Sequence, residues 1–239
     1  MHWRWGFGGN GERRPIKDKL MDKCEIRAFE MLWHPMRNEY EHVTDKCQMP
    51  CVEPLKDISP DKMMAFDEFV RKKPSNCAVH CFKGDHLLER IWKRPEYYGR
   101  QFASVPFVTS PDFSVSPCMP LPVIGYNLFR AKRITQIWNS MGVRVVPTVI
   151  WANAETYDLC FEGLPTKSFL AVSSVGTVRD SLSRLMFVRG IREAIRRLVP
   201  VGLLFYGPLP RLDFTIEIPT WHFRRKICGC VSGYQQDLF

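Results

Sequence analysis

Three short apolar runs, separated by stretches with helical periodicity, constrain the fold of this chain more than any other feature. The runs cover residues 107–109, 143–150 and 169–172, and each ends in a small polar cluster. Short runs rich in Val and Ile are typical of strands buried on both faces, and intervening helices favour a parallel arrangement. In such sheets the chemistry lies at the carboxyl ends of the strands, where these polar clusters fall.

Two further strands are predicted, at residues 78–82 and 201–206. We therefore predict an α/β fold with a mainly parallel sheet of about five β-α units, either a truncated barrel-like sheet or an open one. A complete eight-fold barrel needs about 200 residues or more, and only about 145 remain once the first predicted strand begins.

Proline and glycine positions suggest three regions. Residues 1–75 are predicted to be an N-terminal arm and an irregular or helical extension, with a helix that starts at Pro60 and ends before Pro74. Residues 76–226 form the α/β core domain. Residues 227–239 are expected to be a flexible tail, because Gly229 and Gly233 precede a polar end.

Composition limits the classes of function. The chain has 239 residues and a formal net charge of +9, which suits a polyanionic partner such as DNA but also a merely solvated basic surface. It contains no apolar run of the ~18 residues that a membrane span needs. The first fourteen residues lack the apolar region of a secretory signal. We expect a cytoplasmic protein without membrane contact.

The nine cysteines are an odd number, which disfavours a disulfide framework. Free thiols or a structural zinc site remain as interpretations. Cys24, Cys47 and Cys51 are weak candidates for zinc ligands, because the Cys47–Cys51 spacing leaves three intervening residues instead of the usual two. A divalent metal held by paired carboxylates is a further alternative.

Polar residues at predicted strand ends are the candidates for catalysis. Asp112 is the strongest, because it follows Pro111 and lies between two serine hydroxyls; an Asx-turn without further function is the alternative. The full candidate set is Asp112, Asp85, Ser110, Ser114 and Tyr206. The chain has no P-loop, no GxGxxG, no HExxH and no nucleophile elbow, which disfavours ATP hydrolysis, a dinucleotide site and serine-hydrolase chemistry.

Basic residues on two predicted helices and near the C-terminus are candidates for nucleic-acid contact. The helix after Pro122 is expected to carry its cations on the outer face, and the helix over 178–198 has an Arg-rich side. The candidates are Arg130, Lys132, Arg133, Arg184, Arg192, Arg196, Arg197, Arg224, Arg225 and Lys226.

Several blocks between residues 78 and 208 carry a family resemblance. They are Ser110-Pro111-Asp112-Phe113-Ser114, Met119-Pro120-Leu121, 146–151 (VPTVIW), 161–165 (FEGLP) and Tyr206-Gly207, with Ile91-Trp92, Pro95-Glu96 and 171–173 (AVS). In this order they resemble a family of uncharacterised proteins from bacteria, archaea and their phages, a domain of unknown function. The resemblance implies a phage or mobile-element setting and assigns no reaction.

The final five residues read Gln235-Gln236-Asp237-Leu238-Phe239. They resemble the peptide Gln-x-Asp/Ser-Leu-Phe by which many bacterial proteins dock on the replicative sliding clamp, and the resemblance implies clamp-binding roles for Gln235, Asp237, Leu238 and Phe239. Three hypotheses stay open: a DNA-associated replication or mobile-element protein that docks on the clamp, a nucleotide or nucleic-acid modifying enzyme centred on Asp112, and a non-catalytic clamp-binding modulator.

Overall fold

The computed structural model describes residues 42–177, 180–226 and 229–235. The strands are β1 (Lys62–Ala65), β2 (Ala78–His80), β3 (Val108–Thr109), β4 (Val145–Val146), β5 (Phe169–Ser173), β6 (Gly202–Tyr206), β7 (Thr220–Phe223) and β8 (Val231–Gln235). The helices are α1 (Phe66–Lys72), α2 (Asp85–Lys93), α3 (Pro95–Phe102), α4 (Leu121–Ser140), α5 (Tyr157–Phe161) and α6 (Ser181–Leu198), with a 3₁₀ turn at Ala154–Thr156 before α5.

All eight strands belong to one sheet in the order β4-β3-β2-β1-β8-β7-β6-β5. The pairs from β1 to β4 and from β5 to β7 are parallel. β8 is antiparallel to both of its neighbours, β1 and β7. The predicted α/β class is confirmed, but the sheet is mixed.

The two outer strands, β4 and β5, meet through a single bridge. Thr148 and Ala171 form a parallel bridge just beyond β4. The Val149 amide donates to the Ala171 carbonyl at 2.9 Å, and the Ala171 amide donates to the Pro147 carbonyl at 2.9 Å. The sheet is therefore a nearly closed, eight-strand barrel, more complete than the truncated or open sheet of five units that we predicted.

Side chains alternate between the barrel interior and the surrounding helices. The interior cluster takes Met63 from β1, Ala171 from β5, Leu204 from β6 and Phe223 from β7, all buried. Neighbours in the same strands, among them Met64, face a helix layer. Because both faces of each strand are buried, one in the barrel interior and one against the helices, the strands appear in the sequence as continuous apolar runs.

The barrel extends beyond the predicted core at both ends. Residues 62–65 form β1, where we predicted the first turn of a helix; only Phe66–Lys72 are helical. The prediction of a flexible tail is wrong for Val231–Gln235, which form β8 and pair with β1 and β7. Among the described helices, none has the length and apolar character needed to cross a bilayer.

Candidate functional site

A pocket of about 680 Å³ opens at the end of the barrel where the parallel strands finish. It is lined by residues of β1, β2, β5 and β6 and by the loops that follow β2, β3, β4, β5 and β7, as expected for a sheet of this kind. Its lining includes Ala65, His80, Phe82, Lys83, Asp112, Ser114, Val149, Trp151, Ser173, Thr177, Phe187, Tyr206, Arg225 and Lys226.

Asp112 is the pocket's unpaired carboxylate. In the described part of the chain, no donor reaches its side chain, although it is only partly exposed. Burial, and then the negative charge of Asp85, raise the pKa of Asp112 from 3.8 to about 7. A carboxyl group with this pKa exchanges a proton near neutral pH, which is the property that a general acid or base needs.

The loop that carries Asp112 is anchored by its neighbours. Asp85, at the start of α2, accepts hydrogen bonds from the Ser114 amide and the Ser114 hydroxyl, both at 3.0 Å. On the other side, the Asn127 amide group donates to the Ser114 carbonyl at 2.7 Å. Asp85 therefore fixes the loop as well as raising the pKa of Asp112.

Three aromatic rings meet in the lining of the same pocket. The ring centroid of Tyr206 lies 4.5 Å from that of His80 and 5.0 Å from that of Phe82. Burial, followed by the charge of Lys83, lowers the pKa of His80 to about 3, so its imidazole is neutral. Its Nδ1 accepts the Phe82 amide at 3.3 Å, which places the ring proton on Nε2.

One side of the pocket is cationic. Lys83 follows β2 and forms an ion pair with Asp67 at 3.3 Å, while Arg225 and Lys226 follow β7 and are exposed. Burial raises the pKa of Tyr206, opposed by the positive charge of Arg225 and by a hydrogen bond from the backbone of Lys226. The segment after β7 therefore lies against the aromatic rings.

The opposite side of the pocket is apolar. Trp151, after β4, lines it together with Val149, Met186 and Phe187. The indole Nε1 of Trp151 donates to the Met186 carbonyl at 3.3 Å. The ring centroid of Trp151 lies 5.5 Å from that of Phe187. The pocket thus has a cationic side near β2 and β7 and an aromatic side near β4 and α6, with Asp112 and Tyr206 between them.

The structure brings together four of the five predicted catalytic residues. Asp112, Ser114 and Tyr206 line the pocket, and Asp85 is bonded to Ser114. Ser110 lies elsewhere: it is buried, and its hydroxyl accepts a hydrogen bond from Thr135 on α4 at 2.8 Å. Its side chain points away from the strand end because β3 still alternates at that position.

The predicted outer-face position of two cations on α4 is wrong. Arg130 is buried, stacks 4.0 Å from the Phe113 ring and pairs with Glu89. Lys132 is also buried and donates to the Cys160 carbonyl at 3.2 Å, and burial lowers its pKa to about 8. Both side chains are buried inside the protein and cannot contact a phosphate backbone.

The remaining predicted cations are more accessible. Arg133 is partly exposed and donates to Gln136. On α6, Arg192 pairs with Asp213 at 2.8 Å, while Arg196 and Arg197 pair with Glu193. The exposed set without an ion pair to an acidic partner in the described chain is Arg184, Arg224, Arg225 and Lys226.

The cysteine candidates do not form a metal centre in the described residues. There, no three His, Cys, Asp or Glu side chains are grouped so that they could hold an ion. Cys47 is exposed and Cys51 partly exposed, and burial contributes to raising the pKa of Cys51. Cys24 lies outside the described residues, as do Gln236, Asp237, Leu238 and Phe239.

Sequence reasoning missed the aromatic side of the pocket and part of its cationic side, although Arg225 and Lys226 were among the predicted nucleic-acid contacts. His80, Lys83 and Trp151 were not among the predicted site residues. The available signal was position, since Lys83 and Trp151 directly follow predicted strands whose carboxyl ends face one rim, and His80 lies within one of these strands.

These features define an α/β barrel-like protein with a polar pocket at the carboxyl ends of its strands. The chain belongs to the family described as "Domain of unknown function (DUF4417)", whose model matches residues 41–223. The predicted resemblance to an uncharacterised phage and bacterial family is thereby confirmed.

The similar curated proteins come from phages. The chain is 36% identical over 155 residues to the "Gene 1 protein" of Mycobacterium phage L5, covering 62% of this chain and 68% of that protein. It is 34% identical over 158 residues to the "Gene 1 protein" of Mycobacterium phage D29, covering 64% of this chain and 58% of that protein. No solved structure matches the chain.

Proposed function

We propose that this protein is an enzyme that modifies a nucleotide or a nucleic acid in the barrel-mouth pocket, with Asp112 as the general acid or base. The observation that carries the proposal is the unpaired Asp112 carboxyl in a pocket of about 680 Å³, with a pKa of about 7. Carboxyl groups held in this state near neutral pH are uncommon outside functional sites.

The cations at the pocket mouth support a phosphorylated substrate. Arg225 and Lys226 are exposed at one side of the pocket, and the chain carries a net charge of +9. Phosphate groups are drawn to such a surface, and a volume of this size accommodates a small organic ligand. Similarity to phage proteins supports a phage setting for such an activity.

The test is turnover of a panel of nucleotides, single- and double-stranded DNA and RNA by the wild-type protein and by Asp112→Asn. We expect Asp112→Asn to lower the rate on the active substrate by a factor of about 10² or more, since general acid–base catalysis contributes that much. Asp213→Asn is the matched control, because Asp213 is exposed and pairs with Arg192 on the outside of α6. Equal rates for Asp112→Asn and the wild type would refute the proposal.

We also propose that the protein docks on a bacterial sliding clamp through residues 235–239. The support is their Gln-x-Asp-Leu-Phe sequence, together with the exposure of Gln235 at the end of β8. Short docking peptides concentrate binding energy in one or two apolar anchors, here Leu238 and Phe239. A DNA-associated role in phage replication is the setting in which such docking is useful.

Titration of a purified bacterial clamp against three chains tests the docking. The wild type is expected to bind, whereas deletion of residues 236–239, or Leu238→Ala with Phe239→Ala, is expected to abolish binding. Equal affinity for truncated and full-length chains would refute it. DNA binding is assayed in parallel and is expected to weaken steeply with salt, because phosphate contacts release counterions. Clamp binding without turnover of any substrate would instead favour the non-catalytic modulator.

A further inference from the structure

We propose that the pocket binds a nucleoside phosphate in a single orientation, with the phosphate on Arg225 and Lys226 and the base against Trp151. This rests on the proposed function and specifies its substrate class. The unit recognised is one phosphate joined through a sugar to a planar base, whether it is a free nucleotide or the end of a strand.

The order of strands around the barrel separates the two subsites. Lys83 and the Arg225–Lys226 pair follow β2 and β7, which flank β1 and β8 on one half of the rim. Trp151 follows β4 and lies on the other half, beside α6. Asp112 follows β3, between β2 and β4. Since β3 is the neighbour of β4 and not of β7, the base end of a ligand that spans the mouth lies on the Asp112 side.

Charge sets the direction of the ligand. The cationic side attracts a phosphate, while the carboxylate of Asp85 and the ionised form of Asp112, beside the loop after β3, repel one. Because Lys83 already forms an ion pair with Asp67, Arg225 and Lys226 are the main phosphate ligands. Guanidinium and ammonium groups are the usual protein ligands of phosphate.

Trp151 provides a fixed aromatic surface on which the base can stack. It is partly exposed to the pocket and fixed by its hydrogen bond to the Met186 carbonyl. Its indole lies directly against the backbone of Gly190 on α6, where an added Cβ would stand 2.0 Å from Nε1. Only glycine permits this close approach. The indole is therefore already fixed in position before a ligand binds, and no conformational entropy is lost in ordering it. Bases stack on such surfaces regardless of their identity.

Calorimetric titration with three probes tests the two subsites: a nucleoside monophosphate, the same nucleoside without phosphate, and inorganic phosphate. All titrations use Asp112→Asn, which keeps the pocket and prevents turnover. We expect Arg225→Gln with Lys226→Gln to weaken the monophosphate at least tenfold and leave the nucleoside unchanged. Trp151→Leu should weaken both the monophosphate and the nucleoside, and leave inorganic phosphate unchanged.

Arg224→Gln is the matched control, because Arg224 is exposed, neighbours Arg225 and stacks over Tyr234 outside the pocket lining. An equal loss in Arg224→Gln and Arg225→Gln would overturn the proposal, since it would indicate general attraction alone. Equal affinity of the Asp112→Asn protein for monophosphate and nucleoside, with Arg225, Lys226 and Trp151 all present, would also overturn it.

Two further results separate the sources of the ligand and the two proposals. A 5′-phosphorylated single-stranded oligonucleotide that binds more tightly than the mononucleotide assigns the site to a strand end, and the reverse assigns it to a free nucleotide; either supports the orientation. Subsite-specific binding without turnover by the wild type refutes only the catalytic role of Asp112. Turnover that is unaffected by both the Arg225/Lys226 and the Trp151 variants refutes only the orientation.

Discussion

The protonation state of Asp112 decides what the pocket can do at neutral pH. Its pKa of about 7 follows from burial first and from the Asp85 carboxylate second. Each unit of pKa shift corresponds to about 1.4 kcal/mol of differential interaction, so an ionised Asp112 costs folding free energy. The residue is kept in an environment that favours its neutral form, which is typical of groups selected for proton transfer.

This cost predicts a pH-dependent stability difference between the wild type and Asp112→Asn. Between pH 4 and 7 the unfolded chain loses a proton that the native chain retains, so wild-type stability falls with rising pH in this window. Asparagine has no such proton. We expect the variant to be the more stable protein at pH 8, by on the order of 1–2 kcal/mol because Asp112 is partly exposed, and to match the wild type near pH 4. Urea unfolding at pH 4, 6 and 8 measures this; parallel curves would contradict it.

Asp85→Asn provides a second prediction at the same site. Asparagine keeps an oxygen that can accept the Ser114 hydrogen bonds but removes the charge that raises the pKa of Asp112. The inflection of the rate–pH profile, expected near pH 7 in the wild type, should move to lower pH. Titration of Asp112 by carboxyl NMR in both proteins checks the shift directly, and an unmoved inflection would show that burial acts alone.

For single residues, the sequence predicted the site correctly where position along a strand decides which side chain enters the pocket. It failed where packing decides this. Asp112 was identifiable because a turn residue after a buried strand faces the rim of a parallel sheet. Ser110, two residues earlier, carries the same signal in the sequence, yet it lies on the face that packs against Thr135. Which of two neighbouring hydroxyl or carboxyl groups enters a pocket depends on contacts with α4 that no local pattern contains.

Among the elements, α4 shows how a helix can support a site without contributing to it. Asn127 holds the Ser114 carbonyl and also accepts a hydrogen bond from Arg130 at 2.6 Å. Arg130 in turn lies between the rings of Phe113 and Tyr126, at 4.0 and 4.7 Å. The helix thus contacts the two residues that follow Asp112, and Arg130, which was predicted on its outer face, stabilises this loop from inside the protein.

Arg130→Met is expected to destabilise the protein by about 1–3 kcal/mol, because the thioether cannot replace the stacking or the bonds to Asn127 and Glu89. The amide of Ser114 should also exchange its hydrogen faster, since the loop loses its support. Arg133→Met, at a partly exposed position on the same helix, is the control and should cost less than about 1 kcal/mol. Thermal unfolding and hydrogen exchange measure the two effects. Equal losses in the two variants would mean that Arg130 contributes only surface charge.

The described part of the chain is organised by the near-closure of the barrel, and this was its least predictable feature. The five strands inferred from apolar runs are all present, because buried parallel strands leave a clear signature in the sequence. The three that were missed carry a weaker signature: β1 is rich in Met, β7 includes the polar residues Thr220 and His222, and β8 contains Gly233 and is half exposed. Each is specified by its neighbours in the sheet, since pairing and burial override weak local preference.

β8 completes the barrel between β1 and β7, so its fit controls the stability of the whole fold. The Gly233 amide donates to the Asp61 carbonyl at 2.6 Å, and an added Cβ at this position would lie 2.5 Å from the Phe223 ring and 2.5 Å from the Pro60 carbonyl. Gly233→Ala should therefore lower the free energy of unfolding by about 1–3 kcal/mol through overpacking. Ser232→Ala is the control, because Ser232 is exposed on the same strand and the substitution only removes a hydroxyl group. Urea denaturation of both variants, with binding of a nucleoside monophosphate as the second measurement, checks the prediction. If Gly233→Ala unfolds like the wild type, β8 is not the strand that holds the barrel together.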